Sequence, residues 1–464
     1  MKLFARPESL TDATAWLTTM NRLVGLRAFE YPRDHPRPVL SLIYFLTLYI
    51  LYCITLPLQL IYYTNEKLLK LEYVLYQLMA YFMSMSIFLK LTLGWWYTKS
   101  FKLWCRKISE IDETLRQLGS TVKYNWEYFM TVGIISAWIL FALLTNSMIF
   151  IYLLKRTHLS FTIYLVLAYT YGITVNGIII LEFSLLVKSL QNRFRWVNQL
   201  LLTMSSSTVI NSSCEVQYDE MPSNIEQQKK QTFFKLSQLR QQLQIRNDSA
   251  TKKKKNSQVQ SHTLFELEKK FQEELRNQSP NHGVMKNQKC KHQLQTLKQV
   301  HLELCKVSKT LCSIFGVQIA CELAMSVMII TGLFYNLYIR FFLRTTTDDL
   351  IIQTIPTVIM IFLHVLQFLS LSCSCQRAIN EGNKTSEIVH MIYGCNADAD
   401  IQEETQQFGI QILQCPVKFT AFGMPLDNRI LTSCLRSVTT YLVIMIQMSD
   451  SLESNNAIQS AKFI

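Results

Sequence analysis

Seven apolar runs of about 18–26 residues, each the length of a membrane-crossing helix, punctuate this chain between polar segments of very unequal length. They fall at Pro38–Tyr63, Tyr73–Lys90 with an extension to Trp96, Phe129–Leu154, Phe161–Leu186, Ile314–Tyr338, Leu350–Cys373 and Ile430–Met448. In lipid the backbone of such a run must satisfy itself, so each run predicts a transmembrane helix. Aromatic residues close several of them, as interfacial belts do: Trp95, Trp96 and Tyr97 after the second, Tyr335 and Tyr338 at the end of the fifth.

The polar segments set the orientation. Taken alternately along the chain, one set of loops holds 36 Lys and Arg and the other holds six. Long loops weigh little in the positive-inside rule, and removing the 21 residues of the longest still leaves 15 against six. The N-terminus is therefore expected in the cytoplasm and, after seven spans, the C-terminus outside. A G-protein-coupled receptor has the reverse orientation. Its motifs are also missing: "LLKRTH" follows the third span, and no N-P-x-x-Y occurs in the seventh. The sequons at Asn211, Asn247, Asn277 and Asn383 all fall in segments assigned to the cytoplasm, where they would stay unmodified. None of the 12 cysteines lies in a short outer loop, so disulfides are not expected.

Composition agrees with this picture. The chain is 49% apolar and only 17% charged, below the usual quarter or so of a soluble domain. Its net charge of +13 gathers beside the apolar runs, which argues for membrane topology and against nucleic acid. There is no early apolar core, so the first span is expected to serve as its own targeting signal. P-loop, G-x-S-x-G and H-E-x-x-H motifs are absent, and the cysteines have no histidine at a ligand interval; no enzyme, cofactor or metal site is predicted.

The segments outside the spans divide the chain further. Residues 1–37 form a cytoplasmic N-terminus, and 38–201 hold the first four spans with their inner extensions. Residues 202–292 form a long inner loop. From about Met204 to Gln260 it is rich in Ser, Asn, Gln and Lys, with "TKKKKN" at Thr251–Asn256, and disorder is expected. "FELEKKFQEELRNQ" at Phe265–Gln278 has the charge pairing of a short surface helix. Residues 293–448 hold the last three spans, and 449–464 an extracellular tail. Amphipathic stretches after the second and fourth spans, before the fifth ("Leu297, Val300, Leu304, Leu311") and before the seventh continue the helical pattern beyond the membrane. They are expected either to pack as a cytoplasmic bundle or to lie singly at the interface. Four ionisable residues enter the spans. Lys90 and Glu182 sit near inner ends and are expected to snorkel. Glu322 and His364 lie deeper, at matching depths, as a hydrogen-bonded pair or as ligand contacts.

The last span carries the most specific motif. "TYLVIMIQM", Thr440–Met448, resembles the T-Y-(five apolar)-Q-F signature that ends insect gustatory receptors. "LDNRILTSCLRSVTTY" before it and "HLELCKVSKTLCSIFGVQIA" leading into the fifth span are similar to the same family. The likeness covers the topology of the whole chain and is strong in sequence from about His301 onward. The terminal Phe is Met448 here, and Leu442 stands where the sugar-receptor branch has Glu, as in the fructose-receptor and mixed branches. The resemblance implies an all-α membrane protein, a homotetramer of identical or related subunits in the sensory neuron plasma membrane. It would act as a tastant-gated, nonselective cation channel, its pore lined by the last helix.

On that reading Gln447, Met448 and Ile444 form the pore and gate, with Thr440 and Tyr441 supporting the pore helix. A lone Gln facing lipid is costly, whereas four around an axis satisfy one another or face water. Met448 closes the hole by dewetting, and Asp450 and Glu453 draw cations to the outer mouth. The competing reading is that Gln447 bonds a neighbouring helix. A small organic tastant would meet Tyr76, Gln77, Asn146, Tyr169, Thr331, Tyr335, Gln353 and Thr357 in the outer halves of the spans. The nearest carboxylates, Asp348 and Asp349, lie in a loop, which leans towards a bitter or other non-sugar ligand with fructose open. The alternative classes are a metabotropic receptor and, with no internal repeat to support it, a transporter. The charge bias yields a direct test. An epitope after Ile464 should stain on unpermeabilised cells; staining only after permeabilisation would reverse the topology.

Overall fold

A computed structural model describes residues 7, 9–29, 37–65, 70–154, 157–215, 281–343, 350–395 and 399–461. The fold is helical, and seven of its helices are long and apolar enough to cross a membrane. Helices α1 (Leu10–Ala13) and α2 (Ala15–Leu23) precede α3 (Pro38–Asn65), α4 (Lys70–Trp96), α5 (Thr98–Gln117), α6 (Asn125–Leu154) and α7 (Leu159–Glu215). Then follow α8 (Asn281–Tyr338), a π-helical turn at Ile339–Leu343, α9 (Leu350–Cys395), α10 (Ala399–Gln414), strands β1 (Thr420–Ala421) and β2 (Met424–Pro425), and α11 (Asn428–Ala461). The hairpin is the one departure from all-α among the described residues. The expected disorder near 204–260 and the expected helix at 265–278 fall mostly or wholly outside the described residues; what is described of 202–215 and 281–292 is helical. Likewise the tail predicted from 449 starts as a continuation of α11.

The chain divides into two compact units. The first comprises Met1–Val197, Val300–Thr385 and Cys415–Ile464. Its polar interior is tied by two buried arginines. Ser9 caps α1, accepting from Asp12 N at 3.2 Å. After α2, Gly25 takes a φ of +87°, open to glycine at no steric cost, and the chain crosses α4 so closely that a Cβ at Gly94 would run into the Leu26 carbonyl oxygen. That crossing delivers Arg27 to Glu182 at 2.7 Å, its guanidinium 3.3 Å over the Phe101 ring. Glu182 therefore does not snorkel; it is buried and paired. The second arginine, Arg193 of α7, is fully buried and grips Asp112 of α5 with Nε–Oδ1 at 2.8 Å and Nη2–Oδ2 at 2.6 Å. Tyr124 donates to the same carboxylate at 2.7 Å. Burial, reinforced by the Asp112 charge, pushes the Tyr124 phenol well above its ordinary pKa, so it remains a donor at any working pH. The amphipathic stretch after the second span folds as α5 with Trp104, Ile108, Ile111 and Leu115 inward. The Trp104 indole donates to the Val307 carbonyl of α8 at 3.0 Å.

The second unit comprises Asn198–Gln299 and Ser386–Gln414. Here the start of α8 meets α10. Lys298 lies 2.6 Å from Glu404, Gln295 donates to Glu404 at 2.6 Å, Lys291 reaches Asp400 at 2.9 Å, and Gln411 donates to the Lys298 carbonyl at 2.9 Å. The Lys298 and Gln295 hydrogen bonds hold the Glu404 carboxyl below its ordinary range. Ile401, Phe408 and Ile412 fill the inner face of α10. The end of α7, the start of α8, the end of α9 and α10 thus form a compact unit of their own, whereas the amphipathic stretch after the second span, α5, belongs to the first unit.

The close crossing makes a sharp prediction. Gly94→Ala forces a methyl against backbone that cannot rotate away, an overpacking cost of about 1–3 kcal/mol or more. Surface biotinylation should show a marked loss of mature protein, while Gly119→Ala, where a Cβ meets nothing within 4 Å though the φ of +93° strains it, should lose less.

Candidate functional site: the last helix and the α4–α8 end

The β hairpin aims α11. Phe422 (φ +48°) and Gly423 (φ +84°) form its two-residue turn, pairing Thr420 with Pro425 and Ala421 with Met424. Positive φ at both central residues is what a tight hairpin with right-handed twist requires. Phe419, Ala421 and Leu426 are buried, and Ala421 sits over Gly316 of α8. The Ser372 hydroxyl of α9 lies 3.0 Å from the Asp427 carbonyl oxygen and 3.1 Å from Asn428 Oδ1, fixing the first residue of α11.

From there α11 shows two faces. Val438 and Ser449 are buried, and Leu442, Met445 and Ile446 are half-buried between them, so this stripe packs on the chain's own helices. Ile444, Gln447 and Met448 recur at three- and four-residue steps on the other side and are all exposed, Met448 at 49%. Ser451 donates to the Gln447 carbonyl at 2.8 Å. The Thr440 hydroxyl turns back to the Arg436 carbonyl at 2.9 Å. Tyr441 is 56% exposed. Asp450 is exposed, and the Glu453 side chain lies outside the described residues.

Of the expected ligand residues, Tyr76 meets α8 where α4 begins, with Thr331 and Tyr335 on that end of α8. Asn336 Nδ2 donates to the Tyr76 hydroxyl and, at 3.3 Å, to Glu72 Oε1. Tyr335 is fully buried with its ring stacked on Tyr338, and Thr331, also buried, donates to the Val327 carbonyl at 2.8 Å. Thr357 of α9 accepts from Arg340 at 3.4 Å. Gln77 and Asn146 are half-buried, with no side-chain hydrogen bond among the described residues, and Tyr169 is half-buried on α7. The Gln353 side chain is outside the described residues. Glu72 and Asn336 escaped the sequence reading. Glu72 stands one residue before the run assigned to the second span, although its spacing of four from Tyr76 puts both on one helix face.

The deeper ionisable residues are also rearranged. Lys90 does not snorkel: it is fully buried and donates to Glu322 and to the side-chain Oδ1 of Asn176. Glu322 thus pairs with lysine and not with His364, whose Nδ1 lies 3.2 Å from the Ser326 hydroxyl. A buried carboxylate demands a full countercharge close by, which Lys90 supplies.

A family model described as "7tm Chemosensory receptor" matches residues 256–451. Three curated Drosophila melanogaster relatives match in sequence: putative gustatory receptor 28b at 30% identity over 94 residues, gustatory and pheromone receptor 32a at 28% over 157, and gustatory receptor for sugar taste 43a at 29% over 155. Over these segments the chain is similar to insect gustatory receptors. The matched segments span 20%, 34% and 33% of this chain and 20%, 33% and 35% of those relatives. In fold it is similar to the insect olfactory receptor OR5 of Machilis hrabei, solved with eugenol, at a TM-score of 0.55 and 11% identity over 94% of this chain and 98% of that one. The uncomplexed OR5 structure gives a TM-score of 0.52, again at 11% identity, over 95% and 98%.

The buried pair can be tested by itself. Glu322→Leu or Lys90→Met strands one charge in the core and should destabilise the receptor by about 3–5 kcal/mol, whereas the double variant should recover most of that. Thermal denaturation of the purified receptor in detergent reads the difference. A double variant no better than the singles would make the pair unimportant.

Proposed function

We propose that this receptor is a tastant-gated, nonselective cation channel of the sensory neuron plasma membrane, with its N-terminus inside and C-terminus outside. Four copies of α11 line the pore. The observation that carries the reading is the face of α11 opposite its packed stripe, where exposed Gln447 is flanked by exposed Ile444 and Met448. An amide facing hydrocarbon is unfavourable, and a fourfold ring resolves it. Neutral amides lend polarity without selecting among small cations, and the Met448 thioethers below Asp450 close the ring when they meet. The ligand is a small organic molecule bound between the outer ends of the spans; the similar fold of OR5 of Machilis hrabei is solved in complex with one, eugenol. The cluster of Tyr76, Tyr335 and Asn336 supports that location. Membrane lipid surrounds the assembly, and cations permeate it.

The test is electrical. Currents should persist in excised patches without nucleotide or G protein. Met448→Ala should produce ligand-independent leak, and Gln447→Ala should change conductance without a matching loss at the surface. Gln447→Glu, with some carboxylates kept protonated by mutual repulsion, should raise divalent permeation or block. Met445→Ala, on the packed stripe, should lower expression and leave conductance alone. Responses abolished by blocking G-protein coupling would favour a metabotropic receptor.

A further inference from the structure

Where α8 enters its apolar run, an open groove of about 540 Å³ lies between that helix and the segment leading into the hairpin, within the first unit. Lys309 of α8 and Lys418, just before β1, both line it. Both are exposed, and neither has an ion pair or a side-chain hydrogen bond among the described residues. Lys306, one turn earlier on α8, is answered by Glu303 at 2.8 Å. Ser313, one turn on from Lys309, and Thr420 add hydroxyls to the lining. The two walls are tied together: Cys312 Sγ accepts from the Thr420 N–H at 3.5 Å, and the hairpin backbone sits over Gly316. Phe422 also lines the groove, 80% exposed at a φ of +48°. A bulky side chain at positive φ is strained, and burial within the chain does not repay it here.

We propose that this groove binds the headgroup of an inner-leaflet phospholipid that carries phosphate monoesters, a phosphorylated phosphatidylinositol. The proposal does not need the channel reading; it rests on the inside N-terminus, which puts this end of α8 at the cytoplasmic leaflet. The fifth span begins at Ile314, so Lys309 stands about 7.5 Å before it along the helix, at headgroup depth. Charge decides the class. Two unanswered ammonium groups repel a cation, and the single phosphodiester of a zwitterionic headgroup neutralises only one of them. A phosphate monoester carries about −1.5 to −2 charges at neutral pH and three acceptor oxygens. Two lysines and two hydroxyls satisfy it together, with lysine serving as a point charge. The groove has the size of a small-ligand site. Phe422, with Met424 at 45% exposed on the same hairpin, offers the acyl chains an apolar contact that a soluble phosphate has no use for. A headgroup held there bridges α8 and the hairpin that aims α11.

The experiment titrates the purified full-length protein in detergent with short-chain phosphatidylinositol bisphosphate and counts bound lipid by native mass spectrometry. Short-chain phosphatidylcholine and soluble inositol trisphosphate are the comparisons. The bisphosphate lipid should bind saturably and phosphatidylcholine should not. The trisphosphate, which lacks acyl chains, should bind about tenfold more weakly or worse. Lys309→Gln and Lys418→Gln should each weaken the lipid about fivefold, and together about twentyfold or more, the scale of a lysine near an anionic headgroup. Lys306→Gln, the same charge change outside the groove, should stay within about twofold. Lys309→Arg with Lys418→Arg should retain binding, which separates lost charge from lost fold. The site is overturned if the wild type fails to bind the bisphosphate lipid or binds phosphatidylcholine as well. It is equally overturned if the double Gln variant binds like the wild type, or if Lys306→Gln weakens binding as much as Lys309→Gln. Trisphosphate binding as tight as the lipid's would assign the groove to a soluble phosphate instead. Binding in detergent does not depend on orientation, so a failed site and a reversed topology are told apart.

Discussion

Among the described residues of this protein, a charge that enters the apolar interior has to find its counterpart there, and the arrangement of the spans follows from that constraint. Lys90 and Glu322, 232 positions apart, are both fully buried and meet across α4 and α8, with Asn176 of α7 completing the lysine's shell. Neither charge is tolerable alone in low dielectric. The pair therefore fixes which faces of α4, α7 and α8 turn inward, while the outward faces keep Phe, Leu and Ile for lipid. Arg27–Glu182 and Arg193–Asp112 repeat the solution nearer the polar ends, where each arginine gains a second support: an aromatic face for Arg27, the Ser189 carbonyl for Arg193.

Interior charges hold the helices and leave one helix only partly engaged. α11 packs through Val438 and Ser449 and presents Ile444, Gln447 and Met448 on its other side. A helix attached by one narrow stripe, and aimed by a hairpin and the Ser372 bond at its root, is well placed to line an axis shared with other copies. In the proposed mechanism, ligand at the α4–α8 end acts on α8, α8 carries the Gly316 seat of the hairpin, and the hairpin carries α11. The coupling runs along rigid, covalently continuous elements, which lets a small displacement reach the gate.

Much of this was legible beforehand. Long apolar runs mark spans strongly, and all seven appear, as do the helical extensions after the fourth and sixth and before the fifth. The Gln447 motif was readable because a lone amide contrasts with its apolar surroundings. What failed was partnership. Lys90 near a helix end looks like a snorkelling residue, and nothing local reveals that Glu322 faces it. Glu322 and His364 matched in depth, but depth along two helices says nothing of their rotation. Glu72 was lost to a boundary drawn one residue late. The hairpin hid in "TAFGMP", where a non-glycine residue at positive φ broke the usual turn signal. The misreadings of Lys90, Glu322 and His364 concern contacts between distant elements, which periodicity does not encode.

The central claim is that the exposed face of α11 faces water in an open pore. Cysteine accessibility tests it directly, with current recorded while a charged methanethiosulfonate is applied to Gln447→Cys and Met445→Cys receptors against the unsubstituted chain. The account predicts rapid, irreversible block at Gln447→Cys once ligand is present, and none at Met445→Cys beyond the parent. Block at Met445→Cys but not at Gln447→Cys, or modification at neither, would contradict it.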